Sequence, residues 1–346
     1  MRVGSFVLAA QFPGQGQGEA LHRAVRSAEI AEEAGLDTVW LAEHHFVPYG
    51  TCPSAITLAA LLLGRTRRLR VGTAVSVLPT THPVALGEQA ALLHVTSGGR
   101  FSLGVGRGGP WVDLEVFGTG LEAYEKDFPE SLDLLLRWLR EPSVSASGER
   151  FTFREVPVVP RPSEALPEGS AKAEGPEVLV ACTSPASVRL AGERALPMLL
   201  GMHVGDEEKA EMVALWRRCA RAAGRTDEEI RNAAHVSAGV CQIADRRSEA
   251  VETLLKAMPG WLKRGLDAHV TVDGRPRRMR DPLEYTELLC GLHPVGPPQL
   301  CADRLAATFE RTGISRFALL VEGSGDLVAT GENVRRLGAE VLPRLR

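Results

Sequence analysis

Three side chains that can exchange protons or bind metals stand together at residues 43–45. Glu43, His44 and His45 follow the apolar stretch TVWLA, which is typical of a buried strand. Adjacent side chains at a strand end point in opposite directions, so neighbouring histidines rarely share one metal ion. The sequence also contains neither H-x-H nor H-E-x-x-H. We therefore set the metal hypothesis aside and keep two others, an acid/base group and a buried, hydrogen-bonded histidine.

A glycine-rich turn with one cation, GVGRGG, occupies residues 104–109. Its glycines let the backbone approach a planar ring or a phosphate closely, and Arg107 adds a fixed positive charge with paired donors. The turn differs from the G-x-G-x-x-G fingerprint that opens a helix in dinucleotide-binding folds, because Pro110 and Trp111 follow it. It predicts a ligand contact and argues against a Rossmann fold.

A third candidate, ACTSPASV at 181–188, ends a strand-like segment and begins a helix. Thr183, Ser184 and Ser187 place hydroxyl and N–H groups at a helix N-terminus, where phosphate binds readily. The alternative is an ordinary N-cap with Pro185 in the first turn, and this stretch by itself favours the cap. Taken together, the three strand ends suit a phosphorylated, planar cofactor.

These candidates lie on a chain in which strand-like and helix-like segments alternate. We predict strands at 3–10, 37–42, 68–79, 100–106, 178–182, 196–200, 234–243 and 316–321. We predict helices at 19–34, 54–63, 84–96, 125–140, 185–194, 206–223, 246–257, 299–312 and 327–340. Eight units with nearly continuous apolar strands predict an α/β fold of the (β/α)8 TIM-barrel type, with an open doubly wound sheet as the alternative. The whole chain is expected to form one domain.

Two segments interrupt this alternation. Residues 157–177 contain five prolines and predict a surface excursion before the fifth strand. Residues 259–298 form a long insertion between units seven and eight, and its basic run RPRRMRD lies at 275–281. Loops of this length are usually functional or mobile, so we interpret 259–293 as a mobile lid.

Composition excludes several classes of partner. The 40 basic and 43 acidic residues are intermixed, without the basic patch that nucleic-acid or membrane-surface binding requires. No apolar run approaches the roughly 18 residues of a membrane-spanning helix. The six cysteines form no C-x-x-C pair, and the apolar N-terminus is better read as a strand than as a signal peptide. We expect a cytoplasmic protein that acts on small molecules.

Several stretches give the chain a family resemblance. LAEHHF, SGGRFSLGVGRG, EVFGTG and HPVGPP occur in an order and spacing that resemble the bacterial luciferase-like flavin-dependent monooxygenases, notably the luciferase alpha subunit. The resemblance implies a (β/α)8 barrel that binds FMN in its reduced form, supplied by a separate flavin reductase. It further implies that O2 adds at C4a of the flavin and that one oxygen atom passes to an organic substrate.

The resemblance also implies roles for individual residues. His44 matches the histidine that supports the oxygen chemistry as an acid/base, and Arg107 matches an arginine that contacts the flavin phosphate. The hydroxyl residues of ACTSPASV would complete the phosphate cradle, and a non-proline cis peptide under the flavin ring falls at Ala74-Val75. Independently of the resemblance, helices 54–63 and 84–96 are apolar over more than one face, which predicts a homodimer through them, with packing inside the same chain as the alternative. The interface positions are His45, His82 and Glu88, so we expect His45 to face a partner helix and Glu43 to support the loop.

Three departures from the luciferase pattern fall at positions near the cofactor or the substrate. Gly106 occupies the position of a reactive cysteine near the flavin, which implies more room and a bulkier substrate. Thr183 replaces an acidic residue of the phosphate cradle. Met202 stands where luciferase has a tryptophan near the substrate cavity. These changes argue against light emission and leave the substrate open, with a polyketide or another secondary metabolite as one hypothesis.

Two other functions remain open at this point. The first is an oxidoreductase that uses the deazaflavin F420 for hydride transfer, since the same superfamily contains such enzymes. The second is a non-catalytic partner that resembles the luciferase beta subunit, although the presence of both His44 and Arg107 argues against it.

Overall fold

Eight parallel strands close into a barrel in the computed structural model, which describes residues 1–162, 175–275 and 280–345. The strands are β1 Arg2–Val7, β2 Thr38–Leu41, β3 Arg70–Thr73, β4 Phe101–Gly106, β5 Glu177–Cys182, β6 Met198–Leu200, β7 Val236–Val240 and β8 Arg316–Leu320. Each strand pairs with the next, and β8 pairs with β1 in the register Val3 to Phe317. This last pairing closes the sheet, so the predicted barrel is confirmed and the open-sheet alternative is wrong.

Helices surround the barrel, and local sequence explains where several of them begin and end. They are α1 Gln17–Glu33, α2 Ala55–Arg65, α3 Pro83–Thr96, α4 Phe128–Arg140, α5 Pro185–Glu193, α6 Asp206–Ala222, α7 Arg247–Asp267, α8 Pro282–Leu292, α9 Pro298–Thr312 and α10 Leu327–Arg336. The Ser54 hydroxyl accepts the Thr57 N–H at the start of α2, and Gly313 ends α9 in the left-handed conformation, with φ of 74°. Among the described residues, no helix is both long and apolar enough to cross a membrane.

Alternating residues of the strands supply two separate layers of the core. Val39 and Leu41 of β2 pack outward in a cluster with the surrounding helices, whereas Trp40 joins an inner cluster. That inner cluster also contains Leu254, Met258 and Trp261 of α7. Helix α7 therefore packs against the barrel interior instead of lying on the outer ring.

This packing corrects the prediction for the insertion. The predicted helix at 246–257 stopped before Pro259, yet α7 continues through this proline to Asp267. A proline inside a helix costs roughly 3 kcal/mol, and here the burial of Trp261 and Leu262 in the core favours continuation. The predicted lid at 259–293 thus consists largely of helix, from the end of α7 and from α8. Its basic run is only partly described, because 276–279 lie outside the described residues.

A β-hairpin that the sequence did not suggest follows α4. Its strands, Ser143–Ser147 and Thr152–Pro157, pair in antiparallel fashion. Val144 packs with Leu134 and Trp138 of α4, so the hairpin covers an outer helix. The predicted excursion at 157–177 begins where the hairpin ends, and residues 163–174 of it lie outside the described residues.

Candidate active site

A cavity of about 240 Å³ lies at the C-terminal ends of β2, β3 and β4. This is the end of a TIM barrel at which catalytic residues collect. Four separate stretches of the chain border it, one after each strand and one from the insertion. The lining residues are Ala42, Glu43, His44, His45, Val47, Ala74, Val75, Val77, Gly108, Trp111, Asp113 and His269.

Glu43 connects two of these stretches through its carboxylate. One oxygen accepts the N–H of Ala55 at 3.0 Å, at the start of α2, and the other accepts the N–H of Val77 at 2.9 Å, just after β3. The prediction that Glu43 supports the loop as a hydrogen-bonding group is confirmed. The carboxylate thereby fixes the segment that carries His44 and His45.

His44 lies in the cavity wall with its ring edge against Tyr49, 5.0 Å between ring centroids. Its Nδ1 is buried near Gly50 without a hydrogen-bond partner among the described residues. Although the ring borders the cavity, protein encloses that cavity. Burial, followed by the charges of His269 and His45, lowers the pKa of His44 to about 3. An ordinary histidine has a pKa near 6.5, so this shift leaves His44 a neutral imidazole at physiological pH.

His45 borders the same cavity as His44. Its Nε2 lies 3.7 Å from the Glu43 carboxylate, and its ring packs edge-on against Phe117 of its own chain at 5.0 Å. The two rings thus share one cavity wall, and the expected contact of His45 with a partner helix stays a prediction. The turn after β2 is tight enough to bring both rings into one wall.

Three further residues of the site were missed at the level of sequence. Trp111 and Asp113 follow the GVGRGG turn, and His269 follows α7 in the insertion. His269 bonds through Nδ1 to the Gly265 carbonyl at 2.9 Å and packs on the Trp111 ring at 4.7 Å. Nothing local marks an isolated histidine in a long insertion, and only the folded chain brings it opposite His44.

The electrostatics of this second wall complement those of the first. Burial raises the pKa of Asp113, which is 6% exposed, although the N–H of Leu114 and the nearby histidines oppose the shift. Burial also lowers the pKa of His269, and the Gly265 carbonyl and Asp113 oppose that shift. His44 and His269 consequently favour their neutral forms in the enclosed space between them.

Part of the insertion forms a short strap that pairs with the loop after β4. The N–H of Val112 donates to the Val270 carbonyl and the N–H of Val272 donates to the Pro110 carbonyl, each at 2.9 Å. Trp111 and Thr271 form the antiparallel bridge between these two bonds. The strap, residues 270–272, therefore ties the insertion to the loop after β4, which carries Trp111 and Asp113 of the cavity wall.

The third strand end contains the predicted cis peptide bond at Ala74-Val75, which is confirmed. The expected room at Gly106 is not present, however. A Cβ built on Gly106 would lie 2.6 Å from Cγ2 of Val75, so the valine side chain already occupies that space. Gly106 does not border the cavity, and the bulkier substrate inferred from this glycine stays a prediction.

Arg107 and the hydroxyl residues lie outside the cavity, on the rim formed by the adjacent strands β4 and β5. Arg107 is exposed and stacks over the Tyr124 ring at 4.3 Å. Ser184 caps α5, and the Ser187 hydroxyl accepts the N–H groups of Thr183 and Ser184, each at 3.2 Å. The ordinary N-cap is thus the observed arrangement, and the phosphate cradle remains a prediction. Met202 does not border the cavity either; its carbonyl bonds to His293.

With this geometry established, comparison with known proteins identifies the family. The luciferase-like monooxygenase family matches residues 1–316 of the chain. The chain belongs to this family. It is 30% identical over 363 residues to the alkanal monooxygenase alpha chain of Photorhabdus luminescens, covering 100% of this chain and 98% of that protein. Within the part of the chain that the structure describes, no group of three or more His, Cys, Asp or Glu side chains could hold a metal ion.

Three solved structures share the fold of this luciferase-like monooxygenase. The monooxygenase RslO1 from Streptomyces bottropensis superposes with a TM-score of 0.83 at 23% identity, with both chains fully covered. The oxygenating constituent of 3,6-diketocamphane monooxygenase from Pseudomonas putida, in complex with FMN, gives 0.76 at 21%, covering 100% and 99%. An F420-dependent secondary alcohol dehydrogenase, in complex with an F420-acetone adduct, gives 0.74 at 18%, again covering 100% and 99%.

Proposed function

We propose that this chain is the oxygenase of a two-component monooxygenase. It would receive reduced FMN from a separate flavin reductase and transfer one atom of O2 to a small organic substrate, such as a polyketide or another secondary metabolite. The observation that carries the proposal is the cavity at the C-terminal end of the barrel that a neutral His44 shares with His269. The FMN-bound diketocamphane monooxygenase, which has the same fold, supports the choice of flavin.

The lining of the cavity fits the ring system of a flavin. Small and aliphatic residues, including Ala42, Ala74 and Gly108, form part of its wall, and among the described residues no lysine or arginine borders the space. At about 240 Å³ the cavity is smaller than the roughly 300–1,000 Å³ of a typical whole-ligand site. We therefore assign the ring to the cavity and the phosphate to the rim, where Arg107 offers an exposed guanidinium.

The residues of the chain would perform three tasks in such a reaction. Reduced FMN, when bound, supplies the electrons that activate O2. His44, neutral at physiological pH, would accept a hydrogen bond or a proton at Nε2 close to the reacting oxygen. The Glu43 carboxylate would hold the His44 loop in place, and the strap at 270–272 would exclude water that otherwise diverts the reaction.

The decisive test compares His44→Ala with His22→Ala, a variant at an exposed histidine on α1. Anaerobic titration with reduced FMN should give unchanged binding for both variants. On mixing with ¹⁸O₂ and a panel of acceptors that includes decanal, labelled product should fall by about 10²- to 10⁴-fold in His44→Ala only. We include decanal because the sequence relative is an alkanal monooxygenase.

Two results would overturn the proposal. Tight binding of F420 with hydride transfer and no consumption of O2 would make the chain an F420-dependent oxidoreductase. Failure of the wild-type chain to bind reduced FMN would favour a non-catalytic subunit instead.

We further propose a homodimer through the predicted helices 54–63 and 84–96, which correspond to α2 and α3. Each presents an exposed leucine to solvent, Leu61 at 47% and Leu92 at 53% exposure. Glu88 is exposed on α3, and His82 caps that helix through Nδ1. Sedimentation equilibrium should give a dimer for the wild type and for Val328→Glu on α10, and a monomer for the double variant Leu61→Glu/Leu92→Glu. A monomeric wild type would exclude this interface.

A further inference from the structure

A second, larger cavity lies at the opposite end of the barrel from the active site. It measures about 510 Å³ and sits beside the N-terminal ends of β7 and β8. Helix α6, the short helix Asp227–Asn232 and the loop at 312–315 form its walls. Its volume falls within the roughly 300–1,000 Å³ that small-molecule sites usually have.

Three arginines converge on this cavity without ionic partners. Arg217 and Arg221 lie one turn apart on α6, and Arg231 comes from the short helix. Within the described residues, none of their side chains forms an ion pair or a hydrogen bond. Of the residues that the structure describes, Asp227 is the one acidic residue that borders the cavity. Positive charges that face a shared concave space without neutralisation favour the entry of an anion.

A buried histidine adds a neutral donor to the same cavity. His235 is 8% exposed, borders the cavity and packs edge-on against Trp216 at 4.7 Å. Its Nδ1 accepts the N–H of Met198 at 3.0 Å. Burial, with the charges of Arg217 and Arg316, lowers the pKa of His235 to about 3, so the neutral ring must carry its proton on Nε2. That N–H donor has no partner among the described residues.

The side chains around this cavity are therefore mainly hydrogen-bond donors. The amide of Asn232 adds to the guanidinium groups and the imidazole N–H. The guanidinium of Arg217, an exposed side chain, lies near the loop at 312–315, since a Cβ built on Gly313 would lie 3.6 Å from its Nη2. Guanidinium groups match the oxygens of a phosphate in paired hydrogen bonds, and a phosphate needs donors without competing acceptors.

We propose that this cavity is a binding site for a phosphate-bearing small molecule, held by Arg217, Arg221 and Arg231 and by the Nε2–H of His235. The site is independent of the proposed monooxygenase function, because the barrel separates it from His44. Reduced FMN binding and oxygenation should consequently be unchanged in variants of these arginines, and a failure of one proposal leaves the other intact.

Isothermal titration calorimetry of the full chain at fixed ionic strength tests this proposal. Inorganic pyrophosphate, orthophosphate, AMP and adenosine serve as separate titrants. We expect saturable binding of one phosphate-containing titrant per chain and no binding of adenosine. A preference for AMP would indicate a phosphate ester as the natural ligand, and equal binding of orthophosphate would indicate the free anion.

Variants on α6 separate a defined site from general attraction of anions. Arg217→Ala and Arg231→Ala should each weaken binding at least about tenfold. Arg218→Ala removes a neighbouring exposed arginine that does not border the cavity, and it should bind like the wild type. The proposal is overturned if the wild type binds none of the phosphate compounds, or if Arg218→Ala loses as much affinity as Arg217→Ala.

Discussion

Val75 and Gly106 occupy one continuous space between the third and fourth strands, with only 2.6 Å between Cγ2 of the valine and a Cβ built on the glycine. Gly106→Ala should therefore lower the free energy of unfolding by about 1–3 kcal/mol, because backbone or side chain must shift to relieve the overlap. Trimming the neighbour in the double variant Val75→Ala/Gly106→Ala should recover most of this loss. Urea denaturation of both single variants and the double variant measures the coupling. Additive effects would show that the two residues do not compete for space.

Glu43 uses both carboxylate oxygens to accept backbone N–H groups from separate elements. In Glu43→Gln one of these two donors must face the amide NH2 group and lose its acceptor. We expect a loss of about 1–3 kcal/mol in the free energy of unfolding, together with weaker positioning of His44 and lower turnover. Glu141→Gln, at a carboxylate paired on the surface with Arg137, is the matched control and should change stability by less than about 1 kcal/mol. Equal stability of the two variants would contradict the proposed role of Glu43.

The neutral state of His44 makes a prediction about pH. Since its pKa is lowered to about 3, His44 carries no charge between pH 5 and 8, and its protonation cannot produce an inflection near pH 6.5. In ¹⁵N-labelled protein, the ring nitrogens of His44 should keep the chemical shifts of a neutral imidazole down to pH 5. The His44→Gln variant assigns the resonance. A titration of that resonance midway between pH 6 and 7 would show that the cavity is wetter than its geometry indicates.

Two other buried histidines make the free energy of unfolding depend on pH. Burial lowers the pKa of His235 and of His293 to about 3, with Arg217 acting further on the first and Lys209 on the second. An unfolded chain has histidine pKa values near 6.5, so below that pH the unfolded state binds more protons than the folded state. The free energy of unfolding should be greatest above pH 6.5 and fall towards pH 5, by up to about 1.4 kcal/mol per pH unit for each histidine.

The contribution of His293 to the pH dependence of the unfolding free energy can be measured separately. His293→Gln should reduce the slope of unfolding free energy against pH between 6.5 and 5, a window above the ordinary pKa values of Asp and Glu. Chemical denaturation at a series of pH values gives this slope. An identical slope in the variant would mean that His293 is not held in its neutral form.

The strap at 270–272 can be opened at one hydrogen bond. Val272→Pro removes the N–H that donates to the Pro110 carbonyl, whereas Val272→Ala keeps it. If the proposed monooxygenase reaction takes place, the proline variant should release more H2O2 per molecule of product, because water reaches the cavity. Peroxide and product are measured together after addition of reduced FMN and O2. Equal yields in the two variants would show that the strap does not protect the reaction.

The sequence by itself determined the barrel. Its strands are buried on both faces, so each one is an apolar run that can be recognised without knowing which distant residues it contacts. The ends of helices could also be predicted from the local sequence, since capping residues such as Ser54 and Gly313 act within a few residues. The same holds for Ser184, whose ordinary capping role was one of the two interpretations that the stretch allowed. The supporting role of Glu43 and the cis bond at Ala74-Val75 were predictable as well.

Only the tertiary structure decided what surrounds His44. The continuation of α7 through Pro259, the shared wall of His44 and His45, and the arrival of His269 each depend on contacts between residues distant in sequence. The space at Gly106 was misjudged because the sequence shows only that this residue has no side chain. It does not show that a neighbour, Val75, fills the gap. Local propensity fixes the elements, but the protonation state and the shape of a site follow from burial, which exists only once the barrel has closed.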